Sequence, residues 1–107
     1  MTAIPRRGEA WLAEVDKTRP VIVLTRTPVG RYLNAVLVAP VTSTVRGVST
    51  EVPVGPADGI RVESVANLDN AQLLARTRLV RRVGQVTPDT MSRLCDALAI
   101  AVDGTPN

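Results

Sequence analysis

Two shortages define which side chains of this sequence could do chemistry. Its 107 residues contain no histidine, and Cys95 is the single cysteine. Ser-His-Asp and Cys-His triads are therefore excluded, as is a zinc site of the usual ligand types. Neither a Walker-type loop nor a dinucleotide fingerprint appears, so we expect no metal and no cofactor. Any catalysis must use arginine, lysine, hydroxyls, carboxylates or backbone amides.

Positive charge in the chain is carried almost entirely by arginine. Thirteen basic residues against ten acidic ones give a net charge of +3, and Lys17 is the only lysine. Arginine binds phosphate through two parallel hydrogen bonds and stacks on bases, which suits a nucleic-acid partner. A GC-rich genome produces the same bias towards arginine, alanine and valine. Composition alone therefore leaves both explanations open.

The composition is that of a folded, non-membrane protein. Apolar residues make up 45% of the chain, which favours one compact domain over residues 1–107 with its core at about 7–102. No apolar run approaches the ~20 residues of a membrane span, and Met1–Arg7 lacks the apolar stretch of a signal peptide. A lone cysteine fits a reducing compartment. We therefore expect a cytoplasmic protein with no membrane partner.

The chain reads mostly as short strands. Ala10–Val15 alternates with Trp11 on its apolar face, which predicts that Trp11 packs in the core and does not stack on a base. Pro20–Leu24 is a β-branched run of strand length, predicted to be buried on both faces. Thr25–Arg31 reads as a loop. Further strands are predicted at 35–39 (closed by Pro40), 48–54 (an edge strand), 62–68 and 80–86.

One helix follows the strands. Thr87 is a good N-cap and Pro88 suits the first helical position, while Gly104 ends the pattern. Apolar residues at three- and four-residue steps predict its buried face: Met91, Leu94, Cys95, Leu98 and Val102. Short strands followed by a terminal helix favour a small, strongly bent antiparallel sheet or barrel with the helix packed against it.

Several segments carry a family resemblance in the right order. Arg7–Trp11 and Thr18–Leu24 are similar to the first two strands of the MazF/PemK toxins, and Val38–Ser43 to the end of their third. The later matches are Glu51–Val54, Asp58–Ile60, Ser64–Asp69, Arg78–Leu79, Gly84, Met91 and Ala97–Leu98. The resemblance runs from about Arg7 to Val102. It implies a mainly β fold, a small antiparallel SH3-like β-barrel of the MazF/CcdB type with a C-terminal helix.

The resemblance also implies a function and a catalytic pair. The family's members are toxins of type II toxin–antitoxin systems that cut single-stranded RNA without a metal. Its catalytic arginine and threonine fall on Arg19 and Thr42. RNA supplies its own nucleophile, the 2′-hydroxyl, so no histidine is needed to activate water. A guanidinium can neutralise the charge that develops on the phosphate oxygens.

Further site residues and partners are expected on the same basis. Arg26, Arg31 and Arg46 lie in loops near the expected site. The RNA-binding residues are expected to be Lys17, Arg26, Arg31, Ser43, Arg46, Asp69, Asn70 and Gln72. Partners are expected to be single-stranded RNA, a cognate antitoxin with an acidic segment and a second copy of the chain.

Two departures from the family pattern affect these expectations. The loop between the first two strands is short, Asp16–Thr18, where the family has a longer one covering the site. The family's Asp-Gln is Asp69-Asn70 here, which weakens any role carried over for that amide.

Two other functions compete with RNA cleavage. CcdB-like gyrase poisons share the fold but act through a Trp-Gly-Ile tail, and this sequence ends Asp103–Asn107. That ending disfavours a gyrase poison. An inactive binding module of the same fold is the second alternative, and the presence of both Arg19 and Thr42 speaks against it.

Overall fold

The computed structural model describes residues 4–26 and 34–103. A seven-stranded sheet is followed by one long helix, and short 3₁₀ turns connect the later strands. The strands are β1 (Glu9–Glu14), β2 (Thr18–Val23), β3 (Ala35–Thr42), β4 (Glu51–Val54), β5 (Ser64–Asn67), β6 (Gln72–Ala75) and β7 (Leu79–Gln85), and the helix is α1 (Pro88–Asp103).

The sheet is antiparallel and strongly bent. Its path runs β4-β5-β3-β2-β1-β7, with β6 also paired to β3, so over the described ranges it stays open between β4 and β7. Val52 on β4 and Val86, just after β7, nevertheless belong to the same hydrophobic core. Because opposite ends of the path close on one core, the sheet has the form of a small, open barrel. The predicted fold class is confirmed, and so is the edge position of β4.

Strand β3 is longer than predicted, because it continues through Pro40 to Thr42. The Leu24 N–H donates to the Leu37 carbonyl. Hydrogen-bonded and non-hydrogen-bonded pairs alternate along an antiparallel ladder. Because Leu24 and Leu37 form a hydrogen-bonded pair, Val21 and Pro40 form a non-hydrogen-bonded one, and the backbone groups of Pro40 point away from β2. On its other side, β3 exchanges partners at this point, from β6 up to Val38 to β5 from Val41. Proline therefore occupies a position where no ladder bond is lost.

Strand β2 is buried on both faces, as predicted. Val21 and Val23 belong to one core cluster, together with Trp11 on β1. Ile22 and Leu24 belong to the other, which lies under the helix. The indole of Trp11 is buried and donates to Glu9 Oε1 at 3.1 Å. The prediction that Trp11 packs in the core is confirmed.

Helix α1 begins as predicted, but its buried face is different. The Thr87 hydroxyl accepts from the Thr90 N–H at 3.1 Å, the N-cap geometry. The helix buries Leu94 and Ala97, and burial of a leucine side chain contributes roughly 1.5–3 kcal/mol. Cys95 and Val102 are exposed, so their assignment to the buried face was wrong. Each lies one residue from the Leu94–Ala97–Ala101 stripe, about 100° around the helix.

Three smaller differences concern the strands: two are shorter than predicted and one was not predicted. β4 and β5 are shorter than the predicted 48–54 and 62–68, and the sequence pattern did not indicate β6. In β6 only Leu74 is buried, while Leu73 is largely exposed.

No helix in residues 4–26 and 34–103 has the length and apolar character to cross a membrane.

Candidate active site

A groove of about 710 Å³ opens at one end of the sheet. Its walls come from the β1–β2 hairpin, the end of β3, the segment before β5, and β7. Among the described residues that line it, none is acidic. The cationic ones are Lys17, Arg19, Arg61, Arg81 and Arg82. The groove is therefore suited to an anionic ligand.

The groove brings Arg19 and Thr42 together, and the strand register explains how. The β2–β3 ladder ends with Val21 opposite Pro40. Arg19 and Thr42 each lie two residues beyond that last pair. Because side chains alternate along a strand, both lie on the same face as the last pair. Both line the groove that opens where the paired strands end.

The guanidinium of Arg19 is mostly buried and only partly satisfied. Its side chain is 22% exposed, and Nη2 donates to Asp16 Oδ2 at 3.0 Å. Its Nε–H is buried and has no hydrogen-bond partner among the described residues. An unpaired buried donor costs roughly 1–3 kcal/mol, so the site favours a ligand that brings an acceptor oxygen. A phosphate oxygen is such an acceptor.

Asp16 lies in the short turn between β1 and β2. Its Oδ1 accepts from the Lys17 N–H at 3.0 Å, and its side chain is 68% exposed. Its own backbone N–H, the Lys17 N–H and the charges of Arg19 and Lys17 lower the pKa of Asp16, against the opposing effect of desolvation. The carboxylate therefore stays ionised and holds one side of the Arg19 fork.

The Thr42 hydroxyl is oriented by the backbone. Its oxygen accepts from the Thr44 N–H at 3.1 Å. Since that contact uses a lone pair of the oxygen, the hydroxyl hydrogen remains available for donation. Thr42 is half-buried and opposes Val65 of β5. The arrangement gives the groove that Arg19 also lines a hydroxyl donor.

Two more predicted site residues line the groove, and Arg46 does not. Lys17 and Ser43 are part of the lining. Arg46 instead contacts the buried carboxylate of Glu51, through its backbone N–H at 3.0 Å and its Nε at 3.5 Å. The Gly47 N–H also donates to Glu51, at 2.8 Å. Burial alone would raise the pKa of Glu51, but these N–H groups and the Arg46 guanidinium lower it overall.

The remaining predicted RNA-binding residues lie elsewhere. Arg26 is exposed beyond the far end of β2, and Arg31 falls outside the described residues. Asp69, Asn70 and Gln72 follow β5, at the end away from Ser64, which lines the groove. Asp69 there accepts from the Thr50 hydroxyl at 2.6 Å, and its N–H donates to Asn67. Their roles in RNA binding stay predictions.

Sequence reasoning missed three arginines of the groove. Arg61, Arg81 and Arg82 are not among the residues that the sequence predicted to bind RNA. All three line the groove. Arg82 also forms an ion pair with the buried carboxylate of Glu9, Nε to Oε2 at 3.1 Å. The sequence pattern also did not indicate the contact between Gly84 and Gly59, which joins their two segments.

The bent antiparallel sheet, its terminal helix and its cationic groove define a small single-sheet protein built to bind an anion. Residues 6–102 match the family model described as PemK-like, MazF-like toxin of type II toxin–antitoxin system. The chain therefore belongs to the MazF/PemK family of toxins. The alternative, a non-enzymatic CcdB-like gyrase poison, is not favoured by this match.

Similar proteins support this assignment along the whole chain. Probable endoribonuclease MazF5 of Mycobacterium tuberculosis is 42% identical over 107 residues, covering 96% of this chain and 97% of its own. Endoribonuclease MazF3 of the same species is 41% identical over 92 residues, covering 86% and 89%. The solved structure of Mycobacterium tuberculosis toxin MazF-mt6 superposes with a TM-score of 0.85 at 40% identity, covering 89% and 96%.

A further solved structure contains a partner. An endoribonuclease in complex with its cognate antitoxin, from a mycobacterial species, superposes with a TM-score of 0.86 at 28% identity. The match covers 96% of this chain and 99% of that one.

Proposed function

We propose that this protein is the toxin of a type II toxin–antitoxin pair and cleaves single-stranded RNA at the groove that contains Arg19 and Thr42. The observation that carries the proposal is this pairing. The two residues that match the family's catalytic positions share one cationic groove, and the arginine keeps an unpaired N–H there. Curated relatives named endoribonucleases support the same activity.

The reaction uses the RNA's own 2′-hydroxyl. Its oxygen forms a bond to phosphorus, and the bond from phosphorus to the 5′-oxygen breaks. The 2′-hydroxyl loses its proton, and the 5′-oxygen gains one. Arg19 neutralises the charge that builds up on the phosphate oxygens, through its free Nε–H and its Nη2. Thr42 donates its hydroxyl hydrogen to the same phosphate or orients the 2′-hydroxyl.

The partners follow from the charge of the groove. An antitoxin with an acidic, initially disordered segment would occupy it as RNA does, because both present negative charge. The mycobacterial toxin solved with its cognate antitoxin supports a protein partner of this kind. The protein acts as a homodimer in the cytoplasm. The turn between Glu14 and Thr18 is itself too short to form a long lid over the groove.

The nature of the products tests this proposal. The purified protein is incubated with single-stranded RNA and EDTA, and the cut ends are mapped. Attack by the 2′-hydroxyl leaves a 2′,3′-cyclic phosphate and a 5′-hydroxyl, whereas a metal-activated water commonly leaves a 5′-phosphate. RNA with a 2′-deoxy substitution at the cut nucleotide should resist cleavage.

Two results would contradict it. Efficient cleavage of the 2′-deoxy RNA would exclude the mechanism. Binding of RNA with no cleavage under any condition would instead favour the inactive binding module.

A further inference from the structure

One wall of the groove carries arginines that the cleavage step does not use. We propose that Arg61, Arg81 and Arg82 form a second anion-binding subsite, which holds an RNA backbone phosphate other than the one being cleaved. The proposal rests on the proposed function and deepens it, since it assigns how the groove holds more than one linkage of the same strand. Two features of the fold bring the three arginines to one wall.

The first feature is the irregular pairing of β7 with β1. Neighbouring residues of a regular strand point to opposite faces, yet Arg81 and Arg82 both line the groove. The register shifts twice here, between Ala10 and Trp11 and between Leu12 and Ala13. Such bulges bend a strand and redirect its side chains. The two shifts flank the pairs that contain Arg81 and Arg82, so β7 is bent on both sides of these residues where they line the groove.

The second feature is a contact between two glycines. A Cβ built on Gly59 would lie 2.5 Å from the Gly84 Cα, and one built on Gly84 would lie 2.6 Å from the Gly59 Cα. Gly59 also has a φ of +85°, which favours glycine. This approach holds the segment that carries Arg61 against the strand that carries Arg81 and Arg82.

The three guanidinium groups differ in how they are held. Arg82 donates from Nε to buried Glu9 and from Nη2 to Gln85 Oε1 at 3.3 Å, so its orientation is fixed. Arg61 and Arg81 have no hydrogen bond or ion pair to another residue in 4–26 or 34–103. The subsite thus has one oriented arginine and two whose donors are free for a ligand.

RNA is a ligand that brings several negative charges to one cationic groove. A single strand carries a phosphate at every nucleotide, so a strand bound at Arg19 brings further phosphates along the groove. Each phosphate that a cation neutralises releases counterions. For single strands, each such contact lowers the logarithm of the binding constant by about 0.7 for every tenfold rise in salt concentration. No acidic side chain among the described lining residues opposes these contacts.

The test compares Arg61→Gln and Arg81→Gln with Arg93→Gln. The control removes the same charge from an exposed arginine on α1, which pairs with Asp89 outside the groove. Arg82 is left intact because its loss would unpair buried Glu9. Cleavage kinetics are measured on the mapped RNA. Binding is measured against salt, with the 2′-deoxy RNA or, if no cut is found, with a mixed-sequence single strand.

Each groove variant is expected to raise KM about three- to tenfold, with a much smaller change in kcat. It should also reduce the salt slope, the slope of the logarithm of the binding constant against the logarithm of salt concentration, by about 0.7 in magnitude. The Arg93→Gln protein should match the parent in both. Groove variants that bind and cleave like Arg93→Gln would overturn the subsite, as would a loss confined to kcat. A parent protein that cleaves nothing would contradict the proposed function instead, and the salt slopes would still decide the subsite.

Discussion

Two arginine–carboxylate pairs in this protein, Arg19–Asp16 and Arg46–Glu51, are built in opposite ways. At the end of β2, the arginine is the buried partner and the carboxylate is exposed, with side-chain exposures of 22% for Arg19 and 68% for Asp16. Between β3 and β4, the carboxylate is buried instead, at 2% for Glu51 against 57% for Arg46. Glu51 is surrounded by backbone N–H donors, whereas the buried Nε–H of Arg19 has no partner among residues 4–26 and 34–103.

The difference separates a structural ion pair from one prepared for a ligand. Around Glu51 the protein supplies the donors itself, so the carboxylate holds the loop from Arg46 to Gly47. Around Arg19 the protein supplies one exposed acceptor, which water or a phosphate can replace. Two properties therefore indicate the role of each ion pair: which partner is buried, and whether that partner's hydrogen bonds are complete.

The largest expected effect separates the two arginines by activity. Arg19→Ala and Thr42→Ala should each reduce kcat for RNA cleavage by ~10²–10³, because each removes a donor to the charged phosphate. Arg46→Ala should keep kcat within a few-fold of the parent, since its guanidinium lies outside the groove. Cleavage assays and circular dichroism on the three variants measure this. If Arg46→Ala lost as much activity as Arg19→Ala, the distinction between the pairs would fail.

The next effect separates the two carboxylates by stability. Glu51→Gln should lower the midpoint of thermal unfolding clearly, because the amide cannot match an ionised acceptor for the Arg46 and Gly47 N–H groups. Asp16→Asn should change it far less, since Asp16 is exposed. Thermal melts of both variants at neutral pH measure the difference.

The same comparison has a defined pH dependence. The pKa of Glu51 is lowered in the folded protein from its ordinary value of 4.5. Its contribution is therefore complete above that value and is lost as pH falls through the lower, folded pKa. The gap in unfolding midpoint between parent and Glu51→Gln should be constant near neutrality and should narrow below about pH 4.5. A gap that stays the same down to pH 3 would show that ionisation of Glu51 is not its source.

The smallest expected effect concerns how Arg19 is oriented. Asp16→Asn should reduce kcat by about two- to fivefold, the scale of an exposed ion pair, because the guanidinium loses one charged partner but keeps its position on β2. Asp16→Glu should recover part of this loss by restoring the charge. Rates for both variants at saturating RNA measure the effect. An Asp16→Asn protein as impaired as Arg19→Ala would mean that Asp16 itself takes part in the reaction.

Much of the fold could be predicted because local patterns agreed with the tertiary structure. The buried run of β2, the Trp11 face of β1 and the Thr87 cap are each encoded within a few neighbouring residues. The end of β3 was not predictable in this way. Proline usually ends a strand, and Pro40 is tolerated only because β3 changes partners beside it. β6 was not predicted because Leu74 is its only buried residue, so its sequence shows no alternation of apolar and polar residues.

The candidate site was predictable only in part, and the division has a physical cause. Arg19 and Thr42 were predicted from the family resemblance, and Lys17 and Ser43 lie close to them along the chain. Arg61 and Arg81 reach the groove through two bulges and a glycine contact between segments 25 residues apart. No local pattern reports a contact of that kind. Cys95 was assigned to the wrong face of α1 because neighbouring residues of a helix lie ~100° apart around its axis.

The contact of Gly59 with Gly84 fixes how the two segments of one groove wall meet, independently of the side chains that they carry. Two backbones touch there, with no side chain between them whose rotamer could change the spacing. Substitutions at neighbouring lining positions can thus alter which ligand the groove attracts while the two segments of this wall stay joined. A methyl group at either glycine would do the reverse, since it would push the two segments apart and remove no charge. Geometry and selectivity can consequently be varied separately in this protein.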